Sequence, residues 1–218
     1  MWAKESELIN AFHKLYYYHK GHTWGNTHWL GIPIQKCPLD LWIYQEILFE
    51  VQPDLIIECG TASGGSALFL ASLCDLLNHG IVISVDIAEL PGRPSHSRIT
   101  YLKGSSTSQA VLHQIQHMAA NFQKVIVILD SDHHCSHVLE ELHCYSSLVT
   151  LGSYLIVEDT NLNGHPVAPE FGPGPREAIE LFLLENKDFK HDQSREKFMI
   201  TANANGFLRR TMPVKICH

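Results

Sequence analysis

Residues 53–73, PDLIIECGTASGGSALFLASL, decide the fold of this chain. They begin with a short apolar run, Leu55–Glu58, which predicts a buried strand. A turn with three glycines follows, and apolar residues then recur at helical spacing over Ser66–Asn78. Glycine lets the backbone turn sharply and lets a ligand approach the main chain closely. The stretch therefore predicts a strand, a turn suited to a bound ligand, and a helix.

The same alternation of strand and helix patterns continues along the chain. Further strands are expected at Ile81–Asp86, Ile99–Leu102, Val125–Leu129 and Tyr154–Val157, with a terminal antiparallel pair at Phe189–Asp192 and Phe198–Ala202. Further helices are expected at Ser108–Asn121, Cys135–Ser147 and Pro175–Glu185. Continuous apolar runs are typical of parallel strands that are covered on both faces. The sequence therefore predicts one α/β domain, residues 1–218, on a doubly wound, mostly parallel, seven-stranded sheet.

A helical N-terminal extension, residues 1–52, is expected in front of the core, residues 53–212. Leu8, Phe12 and Tyr16 recur at helical spacing in its first half. A loop rich in aromatic residues and glycine follows, and Pro38 then opens a second helix that runs to Val51.

Composition narrows the class of protein. The net charge is −7 and the pI is about 6.1, which argues against a nucleic-acid partner. The sequence contains no run of 18 apolar residues, and its N-terminus lacks the apolar core of a secretory signal. The six cysteines form no C-x-x-C pair, so neither a disulfide framework nor a zinc site is expected. These features favour a cytoplasmic protein that acts on a small molecule, away from membranes.

The glycine turn and the second strand predict a nucleoside site. The turn reads E-x-G-x-x-x-G-G-S, with Glu58 before Gly60, whereas the dinucleotide fingerprint is G-x-G-x-x-G. This form suits a ligand with a positively charged amino acid end and no pyrophosphate. Asp86 ends the second strand, where a carboxylate can accept both hydroxyls of a ribose. The alternative is a turn without a ligand, with Asp86 as a helix cap.

Carboxylates follow the fourth and fifth predicted strands, whose ends should be neighbours. The first group is Asp130-Ser131-Asp132-His133-His134 and the second is Glu158-Asp159. Carboxylates packed together repel, and a divalent cation removes that penalty. Oxygen ligands favour magnesium, manganese or calcium over zinc. We expect Asp132, Glu158 and Asp159 to be metal ligands, although such residues can instead cap helices.

Two other members of the first group are not counted among the expected metal ligands. Asp130 is the last residue of its strand and is the member of the group most easily explained as structural. His133 is a candidate general base near the metal, with a capping or packing role as the alternative. His137 lies four residues further on and could share a helix face with it.

Six segments of the chain now point to a known family: residues 26–48, 53–73, 128–142, 152–167, 171–183 and 195–210. Together they span most of the chain between about residues 24 and 210. The chain resembles the cephalosporin hydroxylase / rhamnosyl O-methyltransferase family, a branch of the class I methyltransferases that use S-adenosylmethionine (SAM). The resemblance implies a Rossmann-like class I fold, SAM and Mg²⁺ (or Mn²⁺) as cofactors, and a homo-oligomer.

The resemblance also implies roles for individual residues. SAM would contact Glu58, Gly60, Thr61, Ser63, Gly64, Ser66, Asp86, Ser105 and Asp130. The metal would be held by Asp132, Glu158 and Asp159, and the catalytic residues would be Asp132 and His133. A metal-bound hydroxyl loses its proton more easily than a free one, so such a site suits methylation of an alcohol.

The expected function is therefore metal-dependent O-methylation of a sugar or another small natural product. Because the family name mixes two activities, a non-haem iron hydroxylase is one alternative. Such an iron site usually has two histidines and one carboxylate, whereas this cluster is dominated by carboxylates. A non-catalytic SAM-binding partner protein is the second alternative. A nicotinamide-dependent enzyme is disfavoured by the glycine spacing.

Overall fold

The computed structural model describes residues 2–21 and 23–213. Its helices are α1 (Trp2–Tyr18), α2 (Pro38–Val51), α3 (Gly65–Leu76), α4 (Gln109–Ala119), α5 (Cys135–Tyr145) and α6 (Pro175–Glu185). Its strands are β1 (His28–Trp29), β2 (Ile32–Pro33), β3 (Leu55–Cys59), β4 (Ile81–Asp86), β5 (Ile99–Lys103), β6 (Val125–Leu129), β7 (Tyr154–Val157), β8 (Phe189–His191) and β9 (Phe207–Arg210). Strands β1 and β2 form a small hairpin.

The other seven strands form one sheet in the order β5-β4-β3-β6-β7-β9-β8. The first five of these are parallel, and β9 runs antiparallel to both β7 and β8. All residues of β3, β6 and β7 are buried, which explains their unbroken apolar pattern. The predicted doubly wound, Rossmann-like class I fold is confirmed.

The sheet has a hydrophobic cluster on each face. On one face, Leu142 of α5 and Phe182 of α6 pack on the sheet, and on the other Ile47 of α2 and Leu70 of α3 do so. The chain order changes direction at β3, whose neighbours are β4 on one side and β6 on the other. Ligands of open α/β sheets bind at the carboxyl ends of the strands beside such a point. The fold therefore places the glycine turn and both acidic groups at one edge.

The predicted strand Phe198–Ala202 is wrong. This segment is a loop in which Met199 has φ +68, and the strand that pairs with β7 and β8 is β9. The backbone groups of Ala202 are used elsewhere, because its N–H donates to Asp40 Oδ2 (2.9 Å) and its carbonyl accepts from the N–H of Asn161 (3.1 Å). The apolar alternation of this segment thus reflects packing beside α2 and not a sheet.

Two of the three apolar residues that recur at helical spacing on α1 do not face the core. Leu8 is 70% exposed and Phe12 is 53% exposed, whereas His13 on another face of the helix is buried. The contacts of the helix with the rest of the molecule include those of His13, Tyr17 and Tyr18. Among the described residues, no helix has the length and apolar character needed to cross a lipid bilayer. The five cysteines that the structure describes are free thiols, and Cys217 lies outside the described residues.

Candidate active site

A cavity of about 690 Å³ opens at the carboxyl ends of the parallel strands. Its walls include the glycine turn with the end of β4, residues 104–106 after β5, the acidic groups after β6 and β7, the inner side of α1 and residues 33–37. This volume is within the range of small-molecule sites. The three sequence features singled out above therefore meet in one place.

The glycines of the turn are required by close contacts between neighbouring loops. Gly60 has φ +101, and a Cβ atom at this position would lie 1.9 Å from the carbonyl oxygen of Asp130. A Cβ atom at Gly65 would lie 2.2 Å from the carbonyl oxygen of Pro33. The turn after β3 is therefore pressed against the end of β6 and against the β1–β2 hairpin, and only glycine fits.

Asp86 is held in a fixed orientation at the rim of the cavity. Its Oδ2 atom accepts a hydrogen bond from the N–H of Ala62 (2.8 Å), and its Oδ1 atom accepts one from the N–H of Ala88 (2.8 Å). The carboxylate thus ties the glycine turn to the end of β4. Each carboxylate oxygen retains further lone-pair capacity, which suits the ribose-binding role that the sequence predicts.

Arg93 supports the same arrangement and was not predicted. Its Nε donates to the carbonyl of Ala62 (2.9 Å), and its Nη2 donates to the carbonyl of Ala88 (2.8 Å). Nη2 also lies 3.3 Å from Oδ2 of Asp86. Arg93 lies in an irregular segment between β4 and β5, where no periodicity or motif marks a functional residue.

Seven of the nine predicted cofactor residues line the cavity: Gly60, Thr61, Ser63, Ser66, Asp86, Ser105 and Asp130. Gly64 and Glu58 are not among the lining residues. Glu58 is 1% exposed and accepts a hydrogen bond from Ser84 beneath the turn. Burial raises the pKa of Glu58 to about 7, while the hydroxyls of Ser66 and Ser84 act in the opposite direction. The geometry gives Glu58 a supporting position under the turn.

A lysine that the sequence analysis missed lies inside the acidic cluster. Lys36 is 5% exposed, and its Nζ lies 2.5 Å from Asp130 Oδ2 and 2.7 Å from Glu158 Oε1. Burial alone would lower the pKa of Lys36, but the two carboxylates raise it above its ordinary value. Tyr44 of α2 also donates a hydrogen bond to Glu158. Lys36 lies in an irregular loop, where no periodicity marks a functional residue. The only signal in the sequence is that Lys36 falls within residues 26–48, one of the six segments that resemble the family.

Burial shifts both carboxylates of this pair in the same direction. Desolvation raises the pKa of Asp130 and the pKa of Glu158, and the Lys36 ammonium counteracts the shift in each case. A buried carboxylate without a partner would be very costly. The ammonium therefore favours the charged form of both groups against the effect of burial.

The metal-binding geometry differs in part from the predicted ligand set. Asp130, His133 and Asp159 each offer one ligand atom, and these atoms lie within 4.8 Å of one another. His133 Nε2 is 3.2 Å from Asp159 Oδ2. The chain has already turned at Asp159, which has φ +55, so Glu158 and Asp159 both line the cavity but have different partners. The two carboxylates at this spacing fit a hard divalent cation, and the imidazole of His133 lies beside them.

Asp132 lies further out than the other predicted ligands. It lines the cavity but is 54% exposed, and its Oδ1 accepts from both the N–H of His134 (2.9 Å) and, at 2.6 Å, Nδ1 of the same residue. The backbone N–H of His134 is the main cause of its lowered pKa. The structure thus brings Asp159 and His133 together with Asp130, and it pairs Asp132 with His134 at the rim.

His133 and His137 both line the cavity, but they contact different groups. His137 Nε2 lies 3.1 Å from Ser131 Oγ and 3.5 Å from Glu141 Oε1. The hydrogen bond to the fully buried Glu141 is the main cause of its raised pKa. His137 therefore braces the loop after β6, whereas His133 faces Asp159.

Comparisons with known families and proteins point to the family that the sequence resembles. A family model described as "Rhamnosyl O-methyltransferase/CmcI" matches residues 21–211. The rhamnosyl O-methyltransferase of Mycobacterium leprae (strain TN) is 44% identical over 96% of this chain and 93% of its own length. That of Mycobacterium tuberculosis (strain ATCC 25618 / H37Rv) is 44% identical over 93% of this chain and 85% of its own length.

Solved structures agree on the fold. A CmcI structure with Mg and SAM has a TM-score of 0.68 at 20% identity. The matched region covers 86% of this chain and 78% of the CmcI chain. The resemblance to this family is confirmed, and the presence of magnesium and SAM in the CmcI structure agrees with the predicted cofactors. The chain belongs to the rhamnosyl O-methyltransferase/CmcI family, and it is a SAM-dependent O-methyltransferase.

Proposed function

We propose that this enzyme methylates a hydroxyl of a sugar or a similarly hydroxylated small molecule, with a divalent cation, Mg²⁺ or Mn²⁺, bound beside the methyl donor. One observation carries the proposal: a single cavity joins the glycine turn and Asp86 to the group Asp130, His133 and Asp159. A donor at the first place and an acceptor at the second would share one enclosed space. The 44% identical relatives, which are named as rhamnosyl O-methyltransferases, support a sugar as acceptor.

The donor end is assigned to the residues around the turn. Asp86 is in position to accept the ribose hydroxyls, and the backbone of Gly60 and Thr61 can approach the amino acid part of SAM closely because Gly60 has no Cβ. Arg93 keeps Asp86 and Ala62 in place. Methyl transfer requires in-line placement of the acceptor oxygen, and such positioning can lower a barrier by roughly 7–11 kcal/mol.

The cation end is assigned to Asp130 and Asp159, with Asp132 and Glu158 as the remaining predicted ligands. A bound cation would make the acceptor hydroxyl more acidic and fix its position. Lys36 neutralises part of the charge of Asp130 and Glu158, so the cluster does not carry four unopposed carboxylates. His133, next to Asp159, is in position to accept the proton that the hydroxyl loses.

The role of His133 can be separated from metal binding. For His133→Gln we expect an activity loss of about 10²–10⁴-fold, the usual range for a general base, with Mg²⁺ affinity retained in calorimetry. A matched loss of Mg²⁺ affinity would instead make His133 a ligand. Asp130→Asn and Asp132→Asn form a second pair, and we expect the larger loss of Mg²⁺ affinity for Asp130→Asn.

Several wider assignments belong to the same proposal. The chain folds as one domain, because α2 of the extension packs against the sheet of the core. It works in a reducing cytoplasm as a homo-oligomer, and its acceptor is a small molecule and not a nucleic acid. The free thiols of the described residues support the reducing compartment, and the acidic balance argues against a nucleic-acid partner.

The test begins with calorimetry of SAM binding to the purified, metal-stripped protein, with NAD as the control ligand. Methyl transfer to methyl α-L-rhamnopyranoside is then measured with Mg²⁺, with Mn²⁺ and with EDTA. We expect SAM to bind, NAD not to bind, and turnover to need the cation. SAM binding without turnover on any hydroxylated acceptor would favour a non-catalytic partner protein, and no SAM binding would refute the proposal.

A further inference from the structure

The end of the cavity beside α1 is walled by fixed aromatic rings. Tyr17 and Trp24 both line the cavity, and their rings stack with centroids 5.6 Å apart and planes at 18°. The indole N–H of Trp24 donates to the backbone carbonyl of Tyr17 (3.2 Å), which holds the pair in place. The pair offers a flat apolar surface to a ligand. Because the two rings are already ordered, little side-chain entropy is lost when a ligand binds against them.

This wall adjoins the proposed cation site. Tyr17, Trp24 and Asp159 all line the same cavity. Tyr17 and Phe171 also pack against one small apolar cluster, Leu162, Val167 and Ala168, which follows β7. A molecule that rests on the Tyr17–Trp24 wall can therefore place one of its oxygens at Asp159.

Polar groups that lack partners lie at the same end. Among the described residues, four buried side-chain atoms have no hydrogen-bond partner, and two of them, Tyr16 Oη and Asn161 Oδ1, belong to residues that line the cavity. Asn161 is 3% exposed, and its Nδ2 lies 3.0 Å from His13 Nε2, which fixes the carboxamide. Native proteins seldom leave such atoms unpaired, so a ligand hydroxyl or an ordered water is expected to pair with them.

We propose that the α1 end of the cavity is a pyranose subsite, an inference that rests on the proposed function. The C–H face of the sugar ring packs on Tyr17 and Trp24, and ring hydroxyls pair with Tyr16 and Asn161. One further hydroxyl then reaches Asp159 and His133, where the methyl group is received. A pyranose combines one apolar face with hydroxyls around its edge, which is the pattern that these walls offer.

The test measures binding of methyl α-L-rhamnopyranoside by ligand-observed NMR in the presence of S-adenosylhomocysteine and Mg²⁺. We expect Trp24→Ala to weaken binding at least fivefold and Trp24→Phe, which keeps a ring, to retain most of it. Tyr16→Phe is expected to weaken binding about threefold or more. Trp42→Ala is the matched control, because Trp42 is 59% exposed on α2 and lies outside the cavity.

The outcomes separate this inference from the proposed function. Rhamnoside binding that is unchanged in Trp24→Ala, or wild-type protein that binds S-adenosylhomocysteine but no pyranoside, would overturn the subsite and leave the methyltransferase assignment intact. Wild-type protein that binds no S-adenosylhomocysteine in calorimetry would overturn the proposed function itself. Each variant is titrated with S-adenosylhomocysteine, and a dissociation constant within twofold of wild type shows that the donor end is intact.

Discussion

Lys36 is the residue on which the charge balance of the site depends. Its ammonium lies within 2.7 Å of a carboxylate oxygen of both Asp130 and Glu158, and all three residues are largely buried. Removing one partner from a buried ion pair leaves a charge without compensation, and the loss is about 3–5 kcal/mol. Lys36 therefore acts as a permanent cation beside the proposed cation site.

For Lys36→Met we expect a lower melting temperature, which Mg²⁺ restores in part because the metal can neutralise the same carboxylates. Differential scanning calorimetry with EDTA and with Mg²⁺ measures this. Lys197→Met is the control, because Lys197 forms an exposed ion pair with Glu46, and such pairs contribute about 0–1 kcal/mol. Equal losses in the two variants, or no effect of Mg²⁺ on Lys36→Met, would contradict the prediction.

Glu58 gives the protein a pH dependence of stability with a definite sign. Its folded pKa is about 7, mainly because of burial, against an ordinary value of 4.5. Between these values the unfolded chain loses the proton while the folded protein keeps it. The free energy of unfolding therefore falls as pH rises from 4.5 to 7, by roughly 3 kcal/mol at most, since one pKa unit corresponds to about 1.4 kcal/mol.

For Glu58→Gln this contribution is absent, so the variant gains stability relative to wild type as pH rises through this window. Urea denaturation of both proteins at several pH values measures the difference in unfolding free energy. A difference that stays constant from pH 4.5 to 7 would show that Glu58 titrates normally in the folded protein.

The residues predicted from sequence are those whose position in a motif has a chemical reason. Asp86 ends β4, Asp159 lies just beyond the end of β7, and Gly60 stands where a Cβ would collide. Lys36 and Arg93 belong to irregular segments, and their roles arise from contacts across 94 and 31 positions of the chain. Such long-range contacts leave no periodic trace in the sequence.

At the scale of elements, strands were predicted well where burial on both faces gives a continuous apolar run. The bounds of β4, β6 and β7 agree with the prediction, and α6 begins at Pro175 and ends at Glu185 as expected. The last strand was misplaced because β9 reads FLRR, with two apolar residues only. Arg210 is nevertheless buried, since its guanidinium bonds Asp188 and backbone carbonyls.

A prediction at the scale of elements concerns the glycine turn between β3 and α3. For Gly60→Ala we expect loss of SAM binding and a large loss of stability, because the new methyl group would occupy the space of the Asp130 carbonyl. Gly92→Ala separates this contact from backbone strain. Gly92 also has a positive φ (+83), but a Cβ there would meet nothing within 4 Å, so only about 1–2 kcal/mol is expected. Calorimetry of SAM binding and thermal denaturation measure both effects, and similar results for the two variants would refute the explanation.

At the scale of the whole molecule, α1 and α2 each carry an exposed apolar surface in the part of the chain that the structure describes. Leu8, Phe12 and Leu15 of α1 are at least 53% exposed, as are Trp42 and Phe49 of α2. Exposed apolar patches of this kind commonly mark contacts between proteins, and most oligomers assemble from identical chains.

For Leu8→Glu/Phe12→Glu we expect a smaller assembly than for wild type, with an unchanged circular dichroism spectrum. Size-exclusion chromatography with light scattering gives the mass of each. Wild-type protein that elutes as a monomer at high micromolar concentration would contradict the proposed homo-oligomer.

The contact between Gly60 and the carbonyl of Asp130 has a thermodynamic consequence. The turn proposed to bind the donor touches the backbone of Asp130, a proposed cation ligand, so a shift of either backbone is transmitted to the other. Binding free energies at two such places are linked, and linkage is reciprocal: the factor by which Mg²⁺ changes SAM affinity equals the factor by which SAM changes Mg²⁺ affinity. Paired titrations should return one common factor that differs from unity, and two independent affinities would mean that this contact is rigid to both ligands.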